Sequence, residues 1–459
     1  MPQGRPARAS GAAIGNRPAN GRLLFVTACL RPGSSPSAPL RVFPEISGHG
    51  PLDNYLRKLR PLALGGMLTP RKNDRLSDHR WRESISPTRR VAHCNRHPIT
   101  RSEPGGQSLT SIRLMVRPTA DGAAARFTGL QRCGSVWSCP ECANHLAAAR
   151  VEVISRAMVT AHTKGYGACW QTLTLPHAAP DRLRDTLALV AETWREISAS
   201  RSWKALRTRL EVLGLFRKIE VTHGVNGWHP HAHVTFISRR PLTEPELEEL
   251  EGLVWREWSA AVELRGFDKP WREFCPLAAI DLDRPGREWA EYIGKMVGLE
   301  FAGTGKQRQG EGRTPFEILD GAVAIAKQCR GNRRLIAAMG DPALGALASP
   351  DVRLWWEYQR ATKGKHQLHW SRGLKAELGV AVEVEEDQLE LADALCGEQE
   401  EEVCQLTPYE WSQLQLVPER LSALLTIAEA PAPLRDRRRE VRSWLAEWCR
   451  VSVHELLPF

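Results

Sequence analysis

The chain reads as an α+β protein built on one largely antiparallel sheet with its helices packed against one face. Three observations predict this: a βαββαβα order of strand and helix signals between residues 165 and 300, an Asn-Gly hairpin turn at its centre, and apolar alternation on both sides of that turn. At 459 residues the sequence exceeds one average domain, which leaves room for smaller modules around this unit.

Taken in order, residues 168–175 form the first strand and residues 180–210 read as helices. A second strand covers 215–223, a tight turn follows, and a third strand covers 229–237. A long helix opens near Thr243, where Thr-Glu-Pro-Glu puts a hydroxyl at the N-cap and carboxylates in the first turn, favoured by the helix dipole. A short strand at 277–282 and a helix from Arg287 close the unit.

The flanks divide by composition. Residues 1–88 are rich in Pro, Gly and Arg without periodicity and read as a poorly ordered arm. Residues 89–150 carry a cysteine cluster, and 301–378 form a basic, tryptophan-bearing extension. Residues 379–405 are crowded with Glu and Asp, an acidic linker, and 406–459 form a helical tail.

The formal charge of +10 favours a polyanionic partner, and the basic excess lies ahead of residue 380. Eleven scattered cysteines suit a reducing cytoplasm better than a secreted disulfide scaffold. No stretch reaches the ~20 apolar residues of a membrane helix, so a cytoplasmic protein with no membrane partner is expected.

The strongest local signal is Trp228-His229-Pro230-His231-Ala232-His233, because alternating residues on a strand project from one face. His231 and His233 are expected to share a metal ion. With Asn226-Gly227 as a type I′ turn between Val225 and Trp228, Glu220 falls opposite His233 and supplies the third ligand, while His223 falls on the other face. Two imidazoles and a carboxylate suit Mn²⁺, Zn²⁺ or Fe²⁺ by ligand type, and Mg²⁺ when substrate oxygens and water complete the shell.

Cys133, Cys139 and Cys142, with five and then two residues between them, read as structural zinc ligands. Cys94 is the expected fourth, with His145 as the local competitor. On the last helix, Glu288, Tyr292 and Lys295 fall at i, i+4 and i+7 along one side. By contrast, Gly303-Thr304-Gly305-Lys306 is no nucleotide site, since Gln307 stands where Ser or Thr would bind Mg²⁺. Trp355, Trp356 and Trp370 suit either stacking on unpaired bases or ordinary core packing.

Taken together, the segment from about Cys94 to Leu378 resembles the single-tyrosine rolling-circle replication initiators of actinobacterial and other Gram-positive plasmids, within the HUH endonuclease class. Thr172-Leu173-Thr174-Leu175-Pro176-His177 resembles the family's first strand motif. His231-Ala232-His233 resembles its metal motif, and Glu288 through Lys295 resembles its E-x-x-x-Y-x-x-K motif. Arg313-Thr314-Pro315-Phe316, Thr362-Lys363-Gly364 and Trp370-Ser371-Arg372-Gly373-Leu374 are similar to segments of the actinobacterial members.

The resemblance implies a ferredoxin-like or RRM-like HUH domain in which Tyr292 nicks single-stranded, hairpin-borne origin DNA. It implies a 5′-phosphotyrosine and a priming 3′-hydroxyl, with Mg²⁺ or Mn²⁺ at His231, His233 and Glu220. Glu288 would activate water at termination and Lys295 would orient the phosphate. It supports Cys94 as a zinc ligand, and a host helicase and polymerase as partners. A relaxase or transposase of the same class, or a zinc-containing DNA-binding regulator without catalysis, are the rival readings.

Overall fold

The computed structural model describes residues 79–86, 88–103, 106–119, 122–282, 312–343, 348–380 and 400–455. Helices α1 (His79–Ile85) and α2 (Arg89–Ala92) lead into a two-stranded ribbon, β1 (Thr100–Glu103) and β2 (Gly106–Leu109), and then the hairpin β3 (Ile112–Thr119) and β4 (Gly122–Thr128). The long helix α3 (Pro140–Thr163) precedes β5 (Gly167–Leu173), α4 (Leu183–Ala199), α5 (Arg201–Arg209), β6 (Val212–Gly224), β7 (Gly227–Ser238), α6 (Glu244–Leu264) and β8 (Leu277–Ile280). After these come α7 (Pro315–Gln328), α8 (Arg333–Met339), α9 (Pro350–Thr362), β9 (Leu368–Trp370) and α10 (Leu374–Glu377). The chain then runs through β10 (Glu401–Leu406), α11 (Pro408–Leu416), α12 (Pro418–Glu429) and α13 (Leu434–Glu455).

Five strands form the central sheet in the order β8-β5-β7-β6-β9, every neighbouring pair antiparallel. The mixed helix and strand order expected from the sequence is present as far as β8; the helix expected from Arg287 lies outside the described residues. Strand β9 joins as an edge beside β6, where Trp370 stacks on Phe216 with ring centroids 4.3 Å apart.

Alternation on β6 and β7 explains how the sheet is held. Leu215, Ile219 and Val221, with Ala232, Val234 and Phe236, point to one side and join a single apolar cluster with α4, α6, α7 and α9. Helix α4 presents Leu183, Leu187, Val190, Trp194 and Ile197 at helical spacing, all buried. Trp194, Trp203 and Phe236 meet with centroids 5.5 to 5.9 Å apart, each such pair adding about 0.5–1.5 kcal/mol beyond the area it buries.

The other face is not open to solvent, which departs from a sheet with helices on one side only. Phe216, Lys218, Thr235 and Ile237 on that face are all 0% exposed. Alternating polar residues on a strand look solvated in sequence, and only the tertiary cover shows that they are not.

The central hairpin also differs in register. Gly224 pairs with Gly227, so the turn residues are Val225 and Asn226, and Glu220 stands opposite His231 rather than His233. A type I′ turn needs positive φ at both central residues. Neither Val225 nor Asn226 takes one; Gly227 does, at +85°. A β-branched valine resists that conformation, so the chain places the glycine just after the turn. The offset is two residues, and every side chain keeps the face expected of it.

A second, smaller sheet joins β10-β3-β4 antiparallel. Its apolar side, with Ile112, Leu114, Val116 and Phe127, packs on Trp411, Leu424, Leu425, Val441 and Leu445 from α11 to α13. The segments drawn on composition therefore interleave in space. β10 begins inside the acidic stretch and pairs with the cysteine-bearing segment, while the basic extension supplies β9 and core helices α7 and α9 to the central unit. No described helix is long and apolar enough to cross a membrane.

Candidate metal centres

On the buried polar face, β6 and β7 bring Glu220, His231 and His233 together. Glu220 Oε2 lies 3.2 Å from His231 Nε2 and 3.5 Å from His233 Nε2, and all three donor atoms fall within 4.8 Å of one another. An ion about 2.1 Å from each would subtend roughly 100–115° at the two Glu220–histidine pairs, acceptable for a small divalent cation. The three side chains can therefore hold one metal.

Their surroundings favour the metal-binding protonation states. Burial alone would raise the Glu220 carboxyl, but the Lys218 ammonium beside it and the two imidazoles hold it well below the usual carboxylate range. Burial lowers His233, which keeps its ring neutral. His233 Nδ1 lies 3.2 Å from Thr172 Oγ1 on β5, a contact that fixes the ring's orientation. His231 Nδ1 is buried and has no hydrogen-bond partner among the described residues.

His229 continues the row. Its Nδ1 is 3.3 Å from Nδ1 of His177, in the loop after β5, and burial together with repulsion from His231 and His177 pushes it down to about 3. His177 Nδ1 also lies 3.3 Å from the Leu175 carbonyl, which can only accept. A proton on His177 Nδ1 would satisfy both contacts, with the Leu175 carbonyl and His229 Nδ1 accepting.

The second centre joins segments distant in sequence. Cys94 follows α2, Cys133 lies in the loop after β4, Cys139 caps α3 and Cys142 sits in its first turn. Sulfur separations are 3.4 Å for Cys94 and Cys142, 3.6 Å for Cys133 and Cys142, and 3.6 Å for Cys139 and Cys94. These exceed the ~2.05 Å of a disulfide and approach the roughly 3.8 Å edge of a zinc–thiolate tetrahedron. Backbone N–H groups of Cys133 and Ser135 point at Cys94 and Cys133 sulfur, as donors to thiolates do. The four buried cysteines could hold one metal ion, and it is Cys94, not His145, that joins Cys133, Cys139 and Cys142.

With both geometries in view, similarity to known proteins becomes informative. The chain is 30% identical over 344 residues to "Protein rep" of Streptomyces lividans, covering 62% of this chain and 72% of that relative. The chain belongs to the Rep protein family. It is also 33% identical over 140 residues to a "Neomycin resistance protein" of Streptomyces cyanogenus, covering 25% of this chain and 32% of that protein. No family model matches the chain, and no solved structure matches it.

In this Rep-family chain, seven of the residues singled out in the sequence thus fall into two clusters: Glu220, His231 and His233, and the four cysteines. Tyr292, Glu288 and Lys295 lie outside the described residues. His223 lies on the opposite face, against Trp228. Sequence reasoning missed Lys218, whose buried Nζ contacts Glu220 Oε1. Its one signal was position: two residues before Glu220 on a strand, it must share that face. His229 was visible in the alternating row; its partner His177 was not visible as such.

Proposed function

We propose that this Rep-family chain initiates rolling-circle plasmid replication as an HUH endonuclease with one catalytic tyrosine. The observation that carries the reading is the Glu220, His231 and His233 triad on the sheet face beside β5 in a Rep-family chain. The positive net charge suits a DNA substrate, and single-stranded or hairpin origin DNA is the substrate class.

In this mechanism the Tyr292 oxygen attacks the scissile phosphorus. The bond between phosphorus and the 3′ oxygen breaks, and that oxygen takes up a proton to become the 3′-hydroxyl that primes synthesis. The 5′ end stays on Tyr292 as a phosphotyrosine, which conserves the phosphodiester for rejoining. Lys295 orients the phosphate, and Glu288 removes a proton from the water that ends a round. Glu220 Oε2, His231 Nε2 and His233 Nε2 would hold Mg²⁺ or Mn²⁺, which supplies charge neutralisation at the phosphate oxygens. Thr172 keeps the His233 ring aligned, and Lys218 keeps Glu220 ionised. The four cysteines hold structural Zn²⁺. A host helicase and polymerase complete replication in the cytoplasm.

The test is a denaturing gel of purified protein incubated with Mn²⁺ and single-stranded oligonucleotides tiled across its replicon. A protein–DNA species that disappears in Tyr292→Phe and in EDTA is expected, from protein carrying one zinc per chain that Cys142→Ser loses. Absence of any adduct, from protein that binds the same DNA, would replace this reading with a non-catalytic DNA-binding regulator.

A further inference from the structure

Helix α13 presents a row of arginines that the metal centres leave without a role. Arg435, Arg438, Arg439 and Arg442 recur at i, i+3, i+4 and i+7, which places them on one flank of the helix, and all four are exposed. The side chains of Arg435 and Arg439 are 90% and 76% exposed. Val441 and Leu445 are buried against the small sheet and fix the rotation of the helix, so the row cannot turn inward. The acidic residues Asp436, Glu440 and Glu447 project from a different flank.

Among the described residues, little neutralises the row. Asp436 lies 3.0 Å from Arg439 and 4.0 Å from Arg435. Arg438 donates to the Glu402 carbonyl on β10, and Arg442 pairs with no carboxylate among the described residues. Arg113 on β3, 53% exposed and 3.7 Å from Glu402, adds a further cation on the neighbouring sheet. From Arg435 to Arg442 the helix advances about 10.5 Å, long enough for the row to meet more than one backbone phosphate of a duplex.

We propose that this flank of α13 binds the phosphate backbone of double-stranded DNA, as a surface separate from the metal site. Charge complementarity names a polyanion as the occupant, and rigidity selects the duplex. A straight row of guanidinium groups on a packed helix suits evenly spaced phosphates. Binding to unpaired bases would call for exposed aromatic rings to stack on. Trp444 and Trp448 are half-buried and pack on the inner side, Trp448 beneath the Arg420 guanidinium. The surface positions DNA without reading its sequence, since phosphate oxygens carry no base information.

The test is fluorescence anisotropy of the full chain with a labelled duplex of arbitrary sequence, in EDTA, across a series of salt concentrations. The variant is Arg435→Gln, Arg439→Gln and Arg442→Gln together, leaving Arg438 to hold Glu402. Duplex affinity should fall about tenfold or more, and the slope of log K against log salt should flatten by up to about 2.7, roughly 0.9 for each phosphate that is no longer neutralised. The corresponding triple Lys variant should keep most of the affinity and slope. Metal-dependent adduct formation on a short single-stranded oligonucleotide should be unchanged, so loss of that activity would bear on the nuclease reading and not on this one. An unchanged salt slope in the Gln variant would overturn the proposal. So would a loss confined to single-stranded DNA, or an equal loss in the Lys variant.

Discussion

At the scale of single residues, Lys218 and Glu220 show how a carboxylate in a candidate metal centre is kept charged without solvent. Both are buried, and their contact joins a cation to the carboxylate that also faces two imidazoles. Removing one member of such a pair typically costs about 3–5 kcal/mol, because the remaining charge is stranded. Lys218→Met should therefore lower the thermal midpoint of the metal-free protein, while Mn²⁺ should raise it by more than in the parent, since the ion then provides the only counter-charge. Equal shifts in the two proteins, read by differential scanning calorimetry, would show that Lys218 does not bear on the carboxylate. This lysine was not legible in the sequence, where a charged residue on a strand reads as a solvated position. His231 and His233 were legible, because a two-residue period fixes a shared face whatever the tertiary context.

Among elements, the β6–β7 hairpin decides where the ligands point. Its existence and faces were legible from the Asn-Gly pair and the alternation around it, both local signals. Its register was not, because which residues of Val225-Asn226-Gly227 occupy the turn, and which takes a positive φ, is a matter of turn energetics. Gly227 now carries that strain-free positive φ, and a Cβ there would lie 3.0 Å from Ala179 Cα and 3.3 Å from the Ala178 carbonyl. Those residues belong to the loop that seats His177 against His229. Gly227→Ala should cost about 1–2 kcal/mol from the backbone conformation alone. It should also weaken Mn²⁺ affinity, measured by calorimetric titration, as the hairpin tip and the His177 loop move apart. Full retention of Mn²⁺ affinity would mean that the tip is decoupled from the ligands. Strand β9, only three residues long and paired to a distant partner, offered no periodicity to find.

For the molecule as a whole, the small sheet ties the tail to the cysteine-bearing segment. Composition marked residues 379–405 as an acidic linker and the residues beyond it as a helical tail. Pairing of β10 with β3 is a long-range contact that no local pattern reports. A chain ending at residue 380 would strip the cover from Leu114, Val116 and Phe127, each now buried. Such a truncation should bind the dye ANS strongly and lose solubility, whereas a tail without structural duty would leave dye binding at the level of the full chain.

The same pairing has a consequence for how the protein is made. Cys94 to Cys142 all precede β5, so the four-cysteine group can assemble before the central sheet has been synthesised. β3 and β4 emerge in the same interval, yet their partner β10 follows Val116 only at Glu401. At about 5–20 residues per second, this hairpin waits roughly 15–60 s with an unpaired edge and a bare apolar face. Until then the hairpin's strand edge and apolar side are open to non-native pairing, and the arrival of β10 with α11 to α13 closes both.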